Sequence, residues 1–514
     1  MSKQIQKAKK KSSDMKMKKK LINFPSFIRS LRHPLPPTSF ALSDVAFLMI
    51  LLFFGFFSRT FRLAFPPNRV FDEVHFGGFT NRYIKHEYFH DIHPPLGKLL
   101  LAFYAYLSGY KGDIDFSQDA YLNKHFFSLR STPATFSAMI PPVSFLAMRF
   151  FGFSLLSSIL TSVFLATENM LIVESHLVLI DGFLHTFTVF TILGVSLLEV
   201  SPYSKFALIF TSIMAGCTFS IKYTGLSVLV FAGMHQLIFY SRSQLLYLFK
   251  FNFFNARLGI LHLYNELKNS PLVLLSIKMI IMVIISVSVM IFTFIIHIII
   301  LDFQQGNDVG FMPFSFRNTL TFPNSPNYGV RTCCMSMAKR VTTLIKVMHK
   351  SNMGITAAHS ASSNWYDWPL IRMRCISYYT NMYSLVLVAT PVIWYAAAIG
   401  PILCLIFAVC AYFFGNYEVT KLIIWPAGYY ASWVPFVLIP RVLFVYHYLV
   451  PLIFGVFSFA AVLEVMFSNT RALRSMIFVL LITTCLIVYI FFAPFSYALK
   501  GYDWGIRKWY KKMY

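Results

Sequence analysis

Apolar runs near the length of a bilayer span recur along the chain, separated by shorter polar stretches. This pattern predicts an all-α polytopic membrane protein. The first span is expected at about Phe40–Ser58. Leu96–Tyr110 is apolar but short, which predicts an interfacial helix. Further spans are expected at Thr132–Met148, Phe150–Thr167, Met170–Leu198, Phe206–Phe219, Gly225–Tyr240 and Pro271–Leu301. A long polar stretch runs from Asp302 to about Thr380. Met382–Ala411, Lys421–Leu438, Phe444–Val465 and Met476–Ala493 follow. The total is about 11 spans. No internal repeat is evident, which argues against a repeat-built transporter.

Composition strengthens this reading. Of 514 residues, 57% are hydrophobic and 18% aromatic, with a mean hydropathy of +0.62. A soluble domain does not carry that balance. The net charge of +25 raises the question of nucleic acid. Many of the charges sit in short ends and loops, which fits the positive-inside rule better. Met1–Arg32 holds nine lysines and two arginines against one acid, Asp14. It is expected to be a cytosolic tail that orients the first span. By parity, the basic loop Ser241–Ser270 is cytosolic and Asp302–Thr380 lies outside. An 11-span count keeps Arg471 and Arg474 cytosolic and places Arg441–Tyr448 on the side of the first outer loop. The same count puts the C-terminus outside. There Lys511-Lys512 resembles a dilysine signal that is read in the cytosol, and the match is taken as coincidence. The expected division is a basic tail (1–39), an N-terminal transmembrane module (40–301) with a first outer loop (59–131), an outer loop (302–380), C-terminal helices (381–496) and a tail (497–514). The seven cysteines form no zinc pattern; Cys333, Cys334 and Cys375 share one outer loop and are candidates for pairing.

The candidate chemistry gathers in Phe71–Lys98. Asp72, Glu73, His75, His86, Glu87, His90, Asp91 and His93 crowd a chain otherwise poor in charge. Acids and histidines just outside a span do nothing to seat a chain in lipid. Three uses compete: a general base, a metal site, or polar loop packing. Asp72 and Glu73 are adjacent and point in different directions, so one of them is the expected base. The histidines form no HExxH, and His93-Pro94-Pro95 reads as an extended turn, which weighs against zinc. General acid–base work is the favoured use. Arg59, Arg62 and Arg69 follow the first span on its outer side and are either functional arginines or interfacial side chains that snorkel to the membrane surface. Glu174, Asp181 and His185 are spaced by seven and four, which puts them on one face of the expected Met170–Leu198 helix. That face is either a buried contact between helices or the wall of a cavity. Lys222 and Arg130, at outer ends of spans, are placed to pair with such acids or to meet a phosphate.

These residues carry a resemblance. Phe71-Asp72-Glu73-Val74-His75-Phe76-Gly77, followed by His93-Pro94-Pro95-Leu96-Gly97-Lys98, resembles the first lumenal loop of the dolichyl-phosphate-mannose:protein O-mannosyltransferases. Glu174-Ser175 with Leu179-Ile180-Asp181, and Ser220 to Leu226 around Lys222, resemble two further segments of that family. His359 with Ser363-Asn364-Trp365-Tyr366-Asp367-Trp368-Pro369-Leu370 resembles its Ser-x-Trp-x-x-Trp-Pro segment. Arg441 through Tyr446-His447-Tyr448-Leu449 resembles its late Tyr-His-Tyr element. The matches keep family order from Phe40 to about Val465.

The resemblance implies a GT-C glycosyltransferase fold and a multi-pass enzyme of the endoplasmic reticulum membrane. It implies mannose transfer from dolichyl phosphate mannose to Ser or Thr of secretory proteins, with no obligatory cofactor or metal. Asp72 is then the catalytic acid residue, with Glu73 beside it. Arg130, Lys222, His359 and Arg441 are expected around the donor. His93, Glu174, Asp181 and Trp365 are expected to line the substrate cavity. Implied partners are Ser/Thr-rich polypeptides, membrane lipids and a homologous mannosyltransferase, with no nucleic acid. One departure is large: the stretch from Asp302 to Ala358 is too short for the lumenal MIR domain usual in the family. Met335–Lys350 is expected there as a basic amphipathic helix on the membrane or as loop filler. Two alternatives remain: a non-catalytic partner subunit, and a polyprenyl-phosphate sugar transferase with a non-protein acceptor.

Overall fold

The computed structural model describes residues 24–34, 40–117, 125–248, 271–305, 307–321, 335–379, 384–500 and 505–507. Within them, α1 (Phe24–Ser30) precedes α2 (Leu42–Thr60), and the first outer loop holds α3 (Glu73–Ile84) and α4 (Leu96–Leu107). Then come α5 (His125–Ser137), α6 (Ile140–Phe150), α7 (Leu155–Thr167), α8 (Asn169–His176), α9 (Asp181–Val200), α10 (Lys205–Phe219), α11 (Leu226–Leu248) and α12 (Pro271–Ile300). The outer segment carries α13 (Phe314–Arg317), α14 (Met337–Met353) and an antiparallel hairpin of β1 (Ile376–Tyr379) and β2 (Ser384–Leu387), paired Ile376 to Leu387. The chain ends through α15 (Pro391–Phe413), α16 (Ile424–Trp433), α17 (Leu449–Met466) and α18 (Arg471–Ser496).

Among the described residues, six helices are individually long and apolar enough to cross a membrane, or seven if α7 and α8 form one span. The expected number of 11 is not confirmed by this count. Several expected spans are interrupted, each for a local reason. Thr132–Met148 divides into α5 and α6, because Pro141 and Pro142 lack the N–H groups a continuing helix needs and suit a helix start. Lys421–Leu438 divides into α16 flanked by two 3-10 turns, with Pro426 and Pro435 in the run. Met382–Ala411 becomes helical only from Pro391, after β2. Met170–Leu198 breaks between His176 and Asp181. Glu174 therefore does not share a helix with Asp181 and His185, as the seven-residue spacing predicts.

Helix ends inside apolar surroundings need partners for their free backbone groups. The 51° bend between α7 and α8 shows how they are supplied. Arg59, fully buried at the outer end of α2, donates to Leu165 O at 2.7 Å and to Ala166 O. Glu168 caps α8 by accepting from Leu171 N at 2.7 Å, and its other oxygen accepts from the Trp394 indole at 3.0 Å. The remaining two outer arginines also serve the backbone: Arg62 donates to Tyr497 O and Ala498 O, and Arg69 to Phe116 O. Tyr497 donates to Ser58 O at 3.0 Å, so α18 ends beside the outer end of α2. Lys511-Lys512, Cys333, Cys334 and most of the basic tail lie outside the described residues.

Helices α9, α10 and α12 pack in sequence, and α15 packs on α17. Gly455 makes the second contact possible, since a Cβ there would stand 2.3 Å from the Ala397 carbonyl oxygen. Phe53 on α2, Phe292 on α12 and Ile490 on α18 remain exposed, as suits lipid-facing positions. A second apolar core forms around the loop between α3 and α4. Tyr88 and Phe89 of the first outer loop, Phe294 and Ile298 of α12, Phe316 of α13 and Leu344 of α14 belong to it. Tyr88 N donates to Phe303 O at 2.8 Å, and Gln304 N to Thr321 O at 2.8 Å, stitching residues 302–321 onto that loop. Helix α14 realises the expected amphipathic helix, but Val341, Leu344 and Met348 face this protein core.

Candidate active site

Asp72 stands at the start of α3, just after Phe71, whose φ is +50°. The side chain is open to solvent, and no hydrogen bond to its carboxylate is seen among the described residues. It nevertheless sits in protein surroundings that push its pKa up by desolvation. His75 and Lys222 pull it back down, and Asp181 adds to the rise. An unbonded carboxylate of raised pKa, reachable from solvent, has the properties of a general base.

Glu73 is placed differently. It is fully buried and takes four donors: Arg130 Nε and Val178 N on one oxygen, Arg130 Nη2 and Val70 N on the other, at 2.8–2.9 Å. Arg130 uses its remaining N–H groups on the carbonyls of Leu63, Pro66 and Asn68. All five of its donors are satisfied within the protein, and it too is fully buried. Neither residue is free to meet a substrate. Glu73 ties the start of α3 to α5 and to the break before α9, whose Val178 N–H needs an acceptor. This buried clamp fixes the backbone on which Asp72 stands.

The His-Pro-Pro turn is fixed by a second clamp. Lys98 on α4 is buried, pairs with Asp91, and donates to His93 O at 2.7 Å and Pro94 O at 3.3 Å. Burial pushes Asp91 up, but the Lys98 ammonium outweighs this and holds it below the usual carboxylate range. Burial lowers the His93 pKa to about 3, so its ring is neutral. Leu96 N donates to Ser220 O at 3.0 Å, which brings this turn beside Lys222. Gly97 permits the approach: a Cβ there would stand 2.8 Å from Ile180.

Lys222 donates to both oxygens of Asp181, at 2.7 and 2.8 Å, and lies 5.1 Å from the Tyr446 ring. Glu174 has Asp181, Lys222 and Asp72 as its electrostatic neighbours. The acidic pair therefore meets across the helix break. His185, one turn after Asp181, is buried with neither ring nitrogen hydrogen-bonded. Arg441 has Tyr446 and Asp72 as its charged and polar neighbours, and burial lowers its pKa. Its Nε donates to Val442 O at 3.2 Å, and Nη1 to the Asn352 side chain. No bond to its Nη2 is seen among the described residues.

The Ser-x-Trp-x-x-Trp-Pro segment is mainly a docking device. Trp368 is fully buried, donates to Ser363 Oγ at 2.8 Å and stacks on His447. Trp365 is half-buried against Trp433, which donates to its carbonyl at 3.0 Å. His359 is exposed, packs edge-on to Phe444 and is among the groups that lower the Asp72 pKa. Expected site residues thus converge from both halves of the chain. Among the described residues, no three His, Cys, Asp or Glu side chains gather as a metal site. Two site neighbours were not singled out from sequence. Tyr446 lies in the Tyr-His-Tyr motif; Asn352 sits in the last turn of the basic helix α14 and carries no signal of its own.

Two family profiles match this chain. One, described as dolichyl-phosphate-mannose-protein mannosyltransferase, covers residues 49–302. The other, the C-terminal four-transmembrane region of protein O-mannosyltransferase, covers residues 337–513.

This chain belongs to the protein O-mannosyltransferase family.

Among curated relatives, dolichyl-phosphate-mannose–protein mannosyltransferase 6 of Saccharomyces cerevisiae is 35% identical over 38% of this chain and 27% of its own length. Mannosyltransferase 2 of Candida albicans is 33% identical over 36% of this chain and 25% of its own length. The aligned stretch thus spans about a quarter of these relatives. A solved S. cerevisiae protein O-mannosyltransferase Pmt1–Pmt2 complex, described as bound to the sugar donor, contains a chain that matches with a TM-score of 0.79. That match covers 93% of both chains at 16% identity, so it speaks for the fold, which is of the GT-C type. For this mannosyltransferase-family chain, the two profiles leave a gap that begins at Phe303, whose carbonyl accepts from Tyr88 N of the first loop.

Proposed function

We propose that this chain transfers mannose from dolichyl phosphate mannose to Ser or Thr hydroxyls of secretory-pathway proteins, at the endoplasmic reticulum membrane. The observation that carries the proposal is Asp72: a solvent-reachable carboxylate with no bond to it seen among the described residues, with Lys222 and Arg441 among its electrostatic neighbours. The acceptor oxygen attacks the anomeric carbon as Asp72 takes its proton. The bond from that carbon to the phosphate oxygen breaks, and polyprenyl phosphate leaves with the electron pair. Single displacement inverts the anomeric centre. Arg441 and Lys222 face the departing negative charge, the work of a preorganised electrostatic site. A phosphate leaves without a proton donor, so the scheme requires no metal.

Arg130 has no role at the phosphate in this scheme. Its saturated donors make it, with Glu73, the support of the base. In this reading His93, Glu174 and Asp181 surround Asp72 and Lys222, and Glu174 and Asp181 are electrostatic neighbours of both. A lipid-linked donor enters from the bilayer side, and the acceptor polypeptide from the lumen. The yeast relative was solved as a Pmt1–Pmt2 complex, and a homologous subunit is the partner proposed for this chain.

Microsomes from cells expressing the full chain, given labelled donor and a Ser/Thr-rich peptide, test the reading. Wild type labels the peptide and Asp72→Asn does not. Full activity in Asp72→Asn overturns the assignment of the base. Label transferred only to lipid or small-molecule acceptors overturns the protein acceptor. Activity that appears only on co-expression with a homologue, and survives Asp72→Asn, makes this chain a supporting subunit.

A further inference from the structure

Helix α14 presents a charged stripe that the reaction scheme does not use. Lys339, Lys346 and Lys350 are all exposed. Their spacing of seven and four residues places them within about 40° of one another around the helix axis. Met337–Met353 contains no acid, and none of the three lysines forms an ion pair among the described residues. Stripes of like charge are self-repelling unless something of opposite sign covers them.

The helix is anchored so that this stripe leads to the reaction centre. Its C-terminal end is bound to three site elements. His349 packs edge-on to Tyr223, next to Lys222. Ser351 Oγ and His90 Nε2 are 3.0 Å apart. Asn352 accepts from Arg441. From Lys339 to Lys350 the stripe is about 16 Å long, enough to meet about five residues of extended polypeptide.

A membrane surface is the competing occupant of a basic helix. A helix that lies on lipid inserts its apolar face. Here Val341, Leu344 and Met348 are buried in the second apolar core, and the lysines point the other way. The stripe lacks the apolar partner that lipid binding needs.

We propose that the lysine stripe of α14 docks an acidic segment of the acceptor polypeptide, a few residues from the hydroxyl that is modified. This rests on the transfer reading above and adds the acceptor's chemical class. Side-chain charge, rather than a folded accessory domain, then selects the acceptor at this rim. The carboxylates pair with Lys339, Lys346 and Lys350 in solvent-exposed contacts, so the selectivity is salt-sensitive.

The test uses full-length protein in microsomes and two peptides with the same Ser/Thr core, one flanked by Asp and Glu, the other by Asn and Gln. The acidic peptide is expected to show kcat/KM about tenfold higher at low salt, chiefly through KM. That preference disappears near 0.5 M salt, where the Debye length is about 4 Å. It also disappears in the K339Q/K346Q/K350Q variant, whose rate on the neutral peptide is unchanged. Equal use of both peptides by wild type overturns the proposal, as does a preference that survives the triple substitution. Binding of the labelled acidic peptide to purified protein is measured in parallel. If no peptide is glycosylated, salt-sensitive binding lost in the triple variant upholds the docking surface while the transfer reading falls. Equal binding by wild type and variant overturns the docking surface. Loss of binding to anionic vesicles in the variant, with peptide preference intact, assigns the stripe to lipid and overturns the proposal.

Discussion

Glu73 and Arg130 form a bidentate pair with no exposure to solvent, Nε and Nη2 of the arginine each 2.8 Å from a carboxylate oxygen. The pair joins α3 to α5 and accepts from Val178 N at the break before α9. One residue upstream stands Asp72. The carboxylate proposed as the base thus adjoins a buried ion pair that fixes its backbone.

Breaking this pair from one side leaves an uncompensated buried charge. Arg130→Ala and Glu73→Ala are each expected to cost about 3–5 kcal/mol of stability. Thermal unfolding of purified protein, followed by tryptophan fluorescence, reads this as a lowered midpoint. Activity should fall in proportion to folded protein. A stable but inactive Arg130→Ala would instead return the arginine to the donor phosphate.

Asp72→Asn is expected to do the reverse. The carboxylate accepts no hydrogen bond among the described residues, so its loss leaves the midpoint unchanged. The transfer rate should fall by about 10²–10⁴, the usual range for a removed general base. Steady-state labelling at saturating donor measures it. A fall below tenfold would mean another group takes the proton.

Much of the site is legible in the sequence. Asp181 and Lys222 stand out as costly polar residues near lipid, Asp72 by its place in a charged cluster, and Arg441 by the family resemblance. The division of labour between Asp72 and Glu73 was not legible. Two adjacent acids look alike in sequence, and only the position of Arg130, 57 residues away, separates them. The broken helix before Asp181 was hidden for a similar reason. Hydropathy reads Met170–Leu198 as continuous because the acceptors that satisfy the break, Glu73 among them, lie far away in sequence. Asn352 was invisible, since its role depends wholly on the arginine it faces.

Arg441→Gln is expected to lower kcat by about 10²–10³ with little change in KM for the peptide, because its charge matters most as the phosphate departs. Asn352→Ala should lower kcat by about tenfold, acting through the arginine it orients. If Asn352 acts only through Arg441, the double variant is no worse than Arg441→Gln alone. Additive losses in that cycle would show that Asn352 has a role of its own.

The pH profile separates the base from the charges around it. Asp72 works as a carboxylate, so the rate falls as pH drops through its pKa. Desolvation by the surrounding protein raises that pKa, which moves the acid limb to higher pH than that of an ordinary aspartate. Lys222 and His75 hold it down, and Asp181 pushes it up. Lys222→Gln removes a positive neighbour and leaves the Asp181 charge unpaired; both changes disfavour the ionised base. The acid limb should therefore move to higher pH. His75→Gln should move it the same way, because it removes a neighbour that holds the Asp72 pKa down. Initial rates of peptide labelling from about pH 5 to pH 8 record the shift. Above both limbs Asp72 is ionised in every variant, so a rate deficit that persists there in Lys222→Gln measures lost stabilisation of the leaving phosphate. A limb that stays fixed in both variants would mean that the titrating group is not Asp72.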